Sequence, residues 1–469
     1  MYKKGEKMSE LILNKNEMNM TEGNLLTKIF KFSLPFIIAN ILQLFYNAAD
    51  LIVCGQFGSE NSVGAISATG SLSNLIIQLF IGLSVGANVL MARCFGAKDK
   101  EKANNVVHTS MFISVFFGVI LAIFGFCFSR YFLELMGTPD DVIDLSTDYI
   151  KIYFLGIPFS MLYNFGASLL RATGDTKRPF YYLALAGVIN VILNLILVIN
   201  FKLDVKGVAI ATIISQFISA VLIVRCLVKN KGFLNLNLRH LKIHKKEFLE
   251  ILEIGIPAGV QGAVFSLSNV LLQSSINSLG STVVNGNGAS SSLEGFVHTC
   301  MASISTASVS FVSANYGARK IDNIKKTIIN TFVLVTLIGM ITGGLMIIFG
   351  RDLLHIYIKD PNAIAVGRER LTLICFTYFL CGIMDVFANS LRGLGYSFVP
   401  SIITILAVCG FRIFWIYVMF PQEAFHTLKG LMYSYPLSWF LSSFFQLILL
   451  LFVFKKVKNR FHKEKLNLI

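Results

Sequence analysis

Apolar residues in this chain come in long runs with few charges, separated by short polar connections. A helix needs about 20 apolar residues to cross a hydrocarbon core. Twelve runs meet that length, at roughly 29–54, 64–92, 107–129, 147–170, 179–201, 207–229, 249–278, 287–316, 327–350, 369–391, 399–420 and 430–454. The pattern predicts an all-α integral membrane protein with twelve transmembrane helices. Residues 1–28 are polar and mixed in charge, and the first run is too long for the apolar region of a cleavable signal, so it reads as an anchor.

Basic residues alternate across the connections. Arg93, Lys98, Lys100 and Lys102 follow the second run, and Arg171, Lys177 and Arg178 the fourth. Arg225, Lys229, Lys231, Arg239, Lys242, Lys245 and Lys246 cluster after the sixth, and Arg319, Lys320, Lys325 and Lys326 after the eighth. The loop after the first run has no Lys or Arg, and the loop after the third sets Arg130 against Asp140, Asp141 and Asp144. Positive charge stays cytoplasmic, which predicts that both termini are cytoplasmic. The net charge of +15 thus marks orientation and attraction to anionic lipid, not nucleic-acid binding.

Composition agrees. Residues AVILMFWYC make up 55% and charged residues 14% of 469, so a soluble fold has too little polar surface to cover the rest. Mean hydropathy is +0.68. The eight cysteines lie in or beside apolar runs without C-x-x-C or zinc-like spacing, and read as small core residues.

The chain repeats. Pro35, Gly58 and Gly64 recur 222 residues later as Pro257, Gly280 and Gly286. Gly96-Ala97, Arg171, Gly174 and Pro179 recur 221 later as Gly317-Ala318, Arg392, Gly395 and Pro400. Each half holds six spans and enters the membrane in the same direction, a parallel repeat. The expected organisation is a cytoplasmic segment 1–28, a lobe 29–229, a linker 230–248, a second lobe 249–454 and a basic tail 455–469. Two similar bundles suit alternating access, with substrate between them near the midplane.

Enzyme chemistry finds no support. Gly82-Leu-Ser84-Val-Gly86 matches G-x-S-x-G but lies inside a span, and it reads with Gly255-Ile-Pro-Ala-Gly259 as small-residue helix packing. There is no G-x-x-x-x-G-K-[ST], so any energy comes from a partner or an ion gradient. Nor is there an ion-selectivity filter or a signalling domain for a channel or sensor. No protein-bound cofactor is expected.

Ionisable residues inside the spans are the informative ones, because each costs at least ~2.5–3.5 kcal/mol at the bilayer centre. Asp50 stands alone in the first span, one turn after Tyr46. Asn190 and Asn194 share a face of the fifth span, and Thr212 lies early in the sixth. If they converge they form a pocket for a proton or a hard cation, with Na⁺ as the candidate metal at Asp50, Asn190, Asn194 and Thr212. The alternative is a hydrogen-bonded cluster that glues helices. In the second half Leu272 replaces Asp50, while Glu294 and His298 are spaced i, i+4, Asp385 matches Asn164, and Arg412 lies in the eleventh span. These read as candidate lining of a substrate cavity or as mutual neutralisation, for instance of Arg412 with one of the acids. Pro35 and Pro257, at equivalent places in the repeats, are candidate bending points.

At this point the chain resembles the multidrug and toxic compound extrusion (MATE) family, most closely its DinF/MepA-like bacterial branch. The resemblance is carried by Met20-Thr-Glu-Gly23, Leu34-Pro35, Tyr46-Asn-Ala-Ala-Asp50, Phe95-Gly-Ala-Lys98, Met136-Gly-Thr-Pro139, Leu170-Arg-Ala-Thr-Gly174 and Leu391-Arg-Gly-Leu-Gly395. It implies a V-shaped fold of the MOP superfamily and a plasma-membrane antiporter that is a monomer. It further implies that inward H⁺ or Na⁺ drives export of cationic amphiphilic compounds, with Asp50 as the essential carboxylate and Tyr46, Asn190, Asn194 and Thr212 around it. Some relatives carry a second aspartate at the position of Asn194, so the ion and its number stay open. A lipid-linked saccharide flippase of the same superfamily is the alternative, and it would want an Arg-rich cavity for phosphate.

Overall fold

A computed structural model describes residues 17–59 and 61–466. The helices are α1 (Leu25–Phe57), α2 (Ser62–Ala97), α3 (Lys100–Leu135), α4 (Asp140–Ala172), α5 (Lys177–Asn200), α6 (Asp204–Lys229), α7 (Lys245–Asn277), α8 (Ser281–Gly317), α9 (Ile321–Ile348), α10 (Gly350–Tyr357), α11 (Pro361–Gly393), α12 (Phe398–Met419) and α13 (Leu428–Leu466). All except the short α10 are long and apolar enough to cross a membrane, giving 12 spans. The chain is a multi-pass membrane protein. Lipid offers no hydrogen bonds, so the backbone closes its own as helix, and no strand occurs among the described residues.

The helices outrun the apolar runs because polar caps carry them past the hydrocarbon. Asn24 accepts from Thr27 N at 3.2 Å to start α1, and Asp99 accepts from Lys102 N at 3.0 Å to start α3. Two expected boundaries therefore shift. The linker placed at 230–248 ends earlier, since α7 begins at Lys245. Its Phe233, Leu234 and Leu236 are buried in the core cluster, so three apolar side chains anchor the segment while Lys231, Arg239 and Lys242 stay exposed. The tail placed at 455–469 continues α13 to Leu466. The part of residues 1–28 before Glu17 lies outside the described residues. Near their ends α5 and α12 loosen into π-helical turns, at Ile196–Asn200 and Trp415–Met419, with a further one at Ile405–Gly410.

Two helix groups form. Helix α4 packs against α2, α3 and α6, and α5 against α1 and α6; in the second group α11 packs against α8, α9 and α13. The groups lock reciprocally: α1 lies on α8, α7 lies on α2, and α2 touches α8. Glycines permit this. A Cβ on Gly82 would lie 2.1 Å from Gly259 N, and one on Gly86 2.2 Å from Ile251 O. A Cβ on Gly96 would lie 1.8 Å from Ala314 O, and one on Gly317 2.1 Å from Arg93 O. Backbone thus meets backbone along the C-terminal halves of α2 and α8. Toward the other end the groups part, leaving a cavity of about 580 Å³ between residues 71–75 of α2 and 266–277 of α7.

The segment before α1 ties the joined end. Met18 N donates to Thr173 O at 3.1 Å, while Asn315 Nδ2 donates to Met20 O at 3.0 Å and Asn323 Nδ2 to Thr21 O at 2.8 Å. The stretch from Met18 to Thr21 therefore touches both groups. Lys320 bonds the Glu22 carboxylate at 3.2 Å and holds it below its ordinary pKa.

Gly82→Val places side-chain atoms where the α7 backbone lies. It is expected to lower the thermal unfolding midpoint of the purified protein, at an overpacking cost of about 1–3 kcal/mol. Gly288→Val, where no atom lies within 4 Å, is the control and should leave the midpoint in place.

Candidate functional site

The carboxylate of Asp50, half-buried on α1, accepts a short hydrogen bond from Asn194 Nδ2 on α5. Asn194 Nδ2 also donates to Asn190 Oδ1 at 3.3 Å, and Asn190 Nδ2 donates to Thr212 Oγ1 on α6 at 3.4 Å. Four of the five residues singled out in the first half thus form one chain across three helices. Asn190 and Asn194 meet because a four-residue step places both on one helix face. Tyr46 takes another role. Its hydroxyl donates to Ala184 O at 3.1 Å and its ring fills the space beside Gly187, so it packs α1 on α5.

Asp50 lines a cavity of about 420 Å³ enclosed mainly by the first group, with Asn47, Tyr149, Tyr153, Thr212 and Gln216 on its wall. Asn194 is fully buried and its Oδ1 has no hydrogen-bond partner. A carboxylate, an unpaired amide oxygen and a hydroxyl are hard oxygen donors, and they suit a proton or a small hard cation. Polar atoms with unfilled valence at such depth cost free energy unless a ligand visits them.

Proline 35 lies fifteen residues before Asp50, which is about 22 Å along a helix. Both α1 and α7 run unbroken through Pro35 and Pro257.

The second half holds a different arrangement from the expected neutralisation by Arg412. Glu294 of α8 is paired with Arg370 of α11, Nε to Oε1 at 2.8 Å and Nη2 to Oε2 at 2.7 Å, with both side chains 5% exposed. Arg370 also bonds Asn287. Glu294 is therefore neutralised within its own lobe, by Arg370 in place of Arg412. Arg412 meets no carboxylate among the described residues. Its Nη1 donates to Asn269 Oδ1 at 3.2 Å, its guanidinium lies 4.1 Å from the Tyr435 ring centroid, and its Nη2 is buried without a partner. Ring quadrupole and amide oxygens stabilise the cation in place of an acid.

Asn164 donates to Ser160 O at 2.8 Å and lines the 420 Å³ cavity, whereas Asp385 and His298 stand together at the α8–α11 contact. Residue reading missed two further cations. Arg171 lines the cavity, stacks 5.0 Å from the Phe36 ring centroid and donates to Ser168 Oγ at 3.0 Å. Its repeat equivalent Arg392 bonds Asn389 Oδ1 at 2.8 Å and Gln261 Oε1 at 2.6 Å. Along the chain Arg171 read as an orientation charge and Arg392 as its repeat match, which hid that they turn inward.

The family model MatE matches residues 35–196 and again 257–418, so each match falls on one of the two repeats. The chain belongs to the MatE family. It is thus a MATE transporter with the family's all-helical fold. The chain is 29% identical over 389 residues to the probable multidrug resistance protein YoeA of Bacillus subtilis, covering 81% of this chain and 84% of that one. It is 24% identical over 448 residues to the multidrug export protein MepA of Staphylococcus haemolyticus, covering 96% and 97%. Among solved structures, an outward-facing multidrug resistance MATE transporter of the MOP superfamily superposes with TM-score 0.87 at 21% identity, over 95% of this chain and 99% of that one. A MOP superfamily transporter from Pyrococcus furiosus, described by its reversed pocket polarity, superposes with TM-score 0.86 at 20% identity, over 94% and 98%.

Arg370→Met strips a buried carboxylate of its partner, and the expected loss is about 3–5 kcal/mol of stability, read as a lower unfolding midpoint. Adding Glu294→Gln removes the stranded charge and should restore much of it. Equal loss in single and double variants would show that the ion pair is not what the substitution breaks.

Proposed function

We propose that this transporter is a secondary multidrug exporter of the plasma membrane, monomeric, with both termini cytoplasmic. In this reading inward movement of H⁺ or Na⁺ drives the export of cationic amphiphilic compounds by alternating access, with no bound cofactor. The carrying observation is Asp50, a carboxylate in a membrane span that faces the cavity and has neutral oxygens of α5 and α6 beside it. An intramembrane carboxylate draws in a cation, and a carboxylate neutralised by that cation no longer attracts a cationic substrate. Competition for one charge is the simplest form of exchange.

The positive-inside pattern supports the orientation, and in this reading the joined end of the lobes faces the cytoplasm. The lobes then part toward the outside, the state in which an exporter releases its cargo. The names of the YoeA and MepA relatives support drug export. Pro35 withholds an N–H from the carbonyl of Lys31 and is the natural place for α1 to bend when the ion changes.

A second reading has one observation in its favour. Arg171 presents a guanidinium to the cavity with no carboxylate bound to it among the described residues, which suits the phosphate of a lipid-linked saccharide.

Proteoliposomes separate these possibilities. Under the exporter reading, ethidium efflux follows either a proton gradient or a sodium gradient applied alone, and Asp50→Asn reduces it by more than tenfold. Efflux by Asp50→Asn at the wild-type rate would refute the coupling role. Transport of a polyprenyl-phosphate saccharide without ethidium efflux would favour the flippase.

A further inference from the structure

His298 of α8 and Cys381 and Asp385 of α11 bring an imidazole nitrogen, a thiol sulfur and a carboxylate oxygen within 4.8 Å of one another. Cys381 and Asp385 are spaced i, i+4 and so share one face of α11, and that face meets α8, the helix with which α11 packs most extensively. None of the three takes part in a hydrogen bond or ion pair among the described residues. The His298 ring stands edge-on to Tyr378, at 6.2 Å between centroids. Cys381 is 4% exposed, while His298 is open. Three donors thus converge, unspent on one another, with one side accessible.

The donor set defines the ligand class. Thiolate and imidazole favour borderline divalent ions of the Zn²⁺ kind, whereas Na⁺ and Mg²⁺ favour oxygen alone. Zinc takes four ligands at about 2.0–2.3 Å, which spaces donor atoms roughly 3.3–3.8 Å apart. Closing from 4.8 Å therefore needs about 1 Å of movement, within reach of side-chain rotation about His298 and Asp385. Three protein ligands leave a fourth position for water.

The repeat shows that the fold does not require this trio. The first-half equivalents of Cys381 and Asp385 are Ser160 and Asn164, and the positions matching His298, at either repeat spacing, are Ile76 and Ile77. The charges of Arg392 and Arg412 act on Asp385 and Cys381 respectively. They offset part of the negative charge of the ligand set and weaken the site relative to an isolated one.

We propose that His298, Cys381 and Asp385 form a binding site for a zinc-class divalent metal ion between α8 and α11. It is separate from the oxygen cluster around Asp50. On binding, the Cys381 Sγ–H proton passes to solvent and the sulfur lone pair goes to the metal, with no change of oxidation state.

Cobalt(II) tests this on the purified full-length protein in detergent, because a thiolate–cobalt bond absorbs in the near ultraviolet. Wild type is expected to develop this band at one ion per chain and to lose it on addition of zinc. Cys381→Ser should abolish the band, and His298→Ala and Asp385→Asn should each weaken cobalt affinity at least tenfold. Cys127→Ser, at an exposed cysteine on α3, should keep the band. Absence of a band in wild type, or its survival in Cys381→Ser, overturns the proposal. So does unchanged affinity in both His298→Ala and Asp385→Asn. Since His298 is exposed, its variant retains the fold and keeps the test decisive should Cys381→Ser fail to fold.

Discussion

Backbone contact between α2 and α7, and between α2 and α8, is the constraint on which the rest depends. Glycines 82, 86, 96 and 317 remove the side chains that would hold these helices apart. Lipid supplies no hydrophobic force to push one helix onto another, so close van der Waals approach is what joins the lobes. The approach holds only along the C-terminal halves of α2 and α8. Beyond it the helices diverge, and a cavity follows from the geometry.

The two repeats use the membrane interior in opposite ways. In the first, Asp50 sits on a cavity wall with a neutral amide as its partner and turns its carboxyl toward the space a ligand would enter. In the second, Glu294 is clamped by Arg370 and withdrawn from the cavity. An intramembrane carboxylate is costly in either setting. The Glu294–Arg370 pair relieves that cost permanently and stiffens the α8–α11 contact. At Asp50 the cost stays available to be relieved by an ion. In the second repeat Arg412, held by Tyr435 and Asn269, is a further fixed element.

The span count, the parallel repeat and the family were legible along the chain because hydrocarbon thickness sets run length and duplication leaves matching Pro, Gly and Arg. Asp50 was legible for the same reason: a charge in a first span with no neighbour of its own stands out. Its partner Asn194 was recognisable as a polar face of α5, though the contact joins residues 144 apart. Arg370 was not recognised. It lies one residue inside the run 369–391, where an arginine reads as a flanking charge, and only the packing of α8 on α11 shows that it turns inward to Glu294. Tyr46 was expected beside the carboxylate and instead faces Gly187, because the side chain one turn earlier on α1 points at the neighbouring α5 backbone.

What the sequence by itself determined is whatever the solvent dictates: helix number, the twofold repeat of the spans, and the short set of polar residues that lipid would exclude. Those are local consequences of burying a chain in a medium without hydrogen bonds. Pairing was decided by tertiary structure alone, since it depends on which helix faces lie within a few ångströms. Thus Asp50 received an amide, Glu294 received an arginine, and Cys381, which reads along the chain as a small apolar residue, came to lie beside His298 and Asp385.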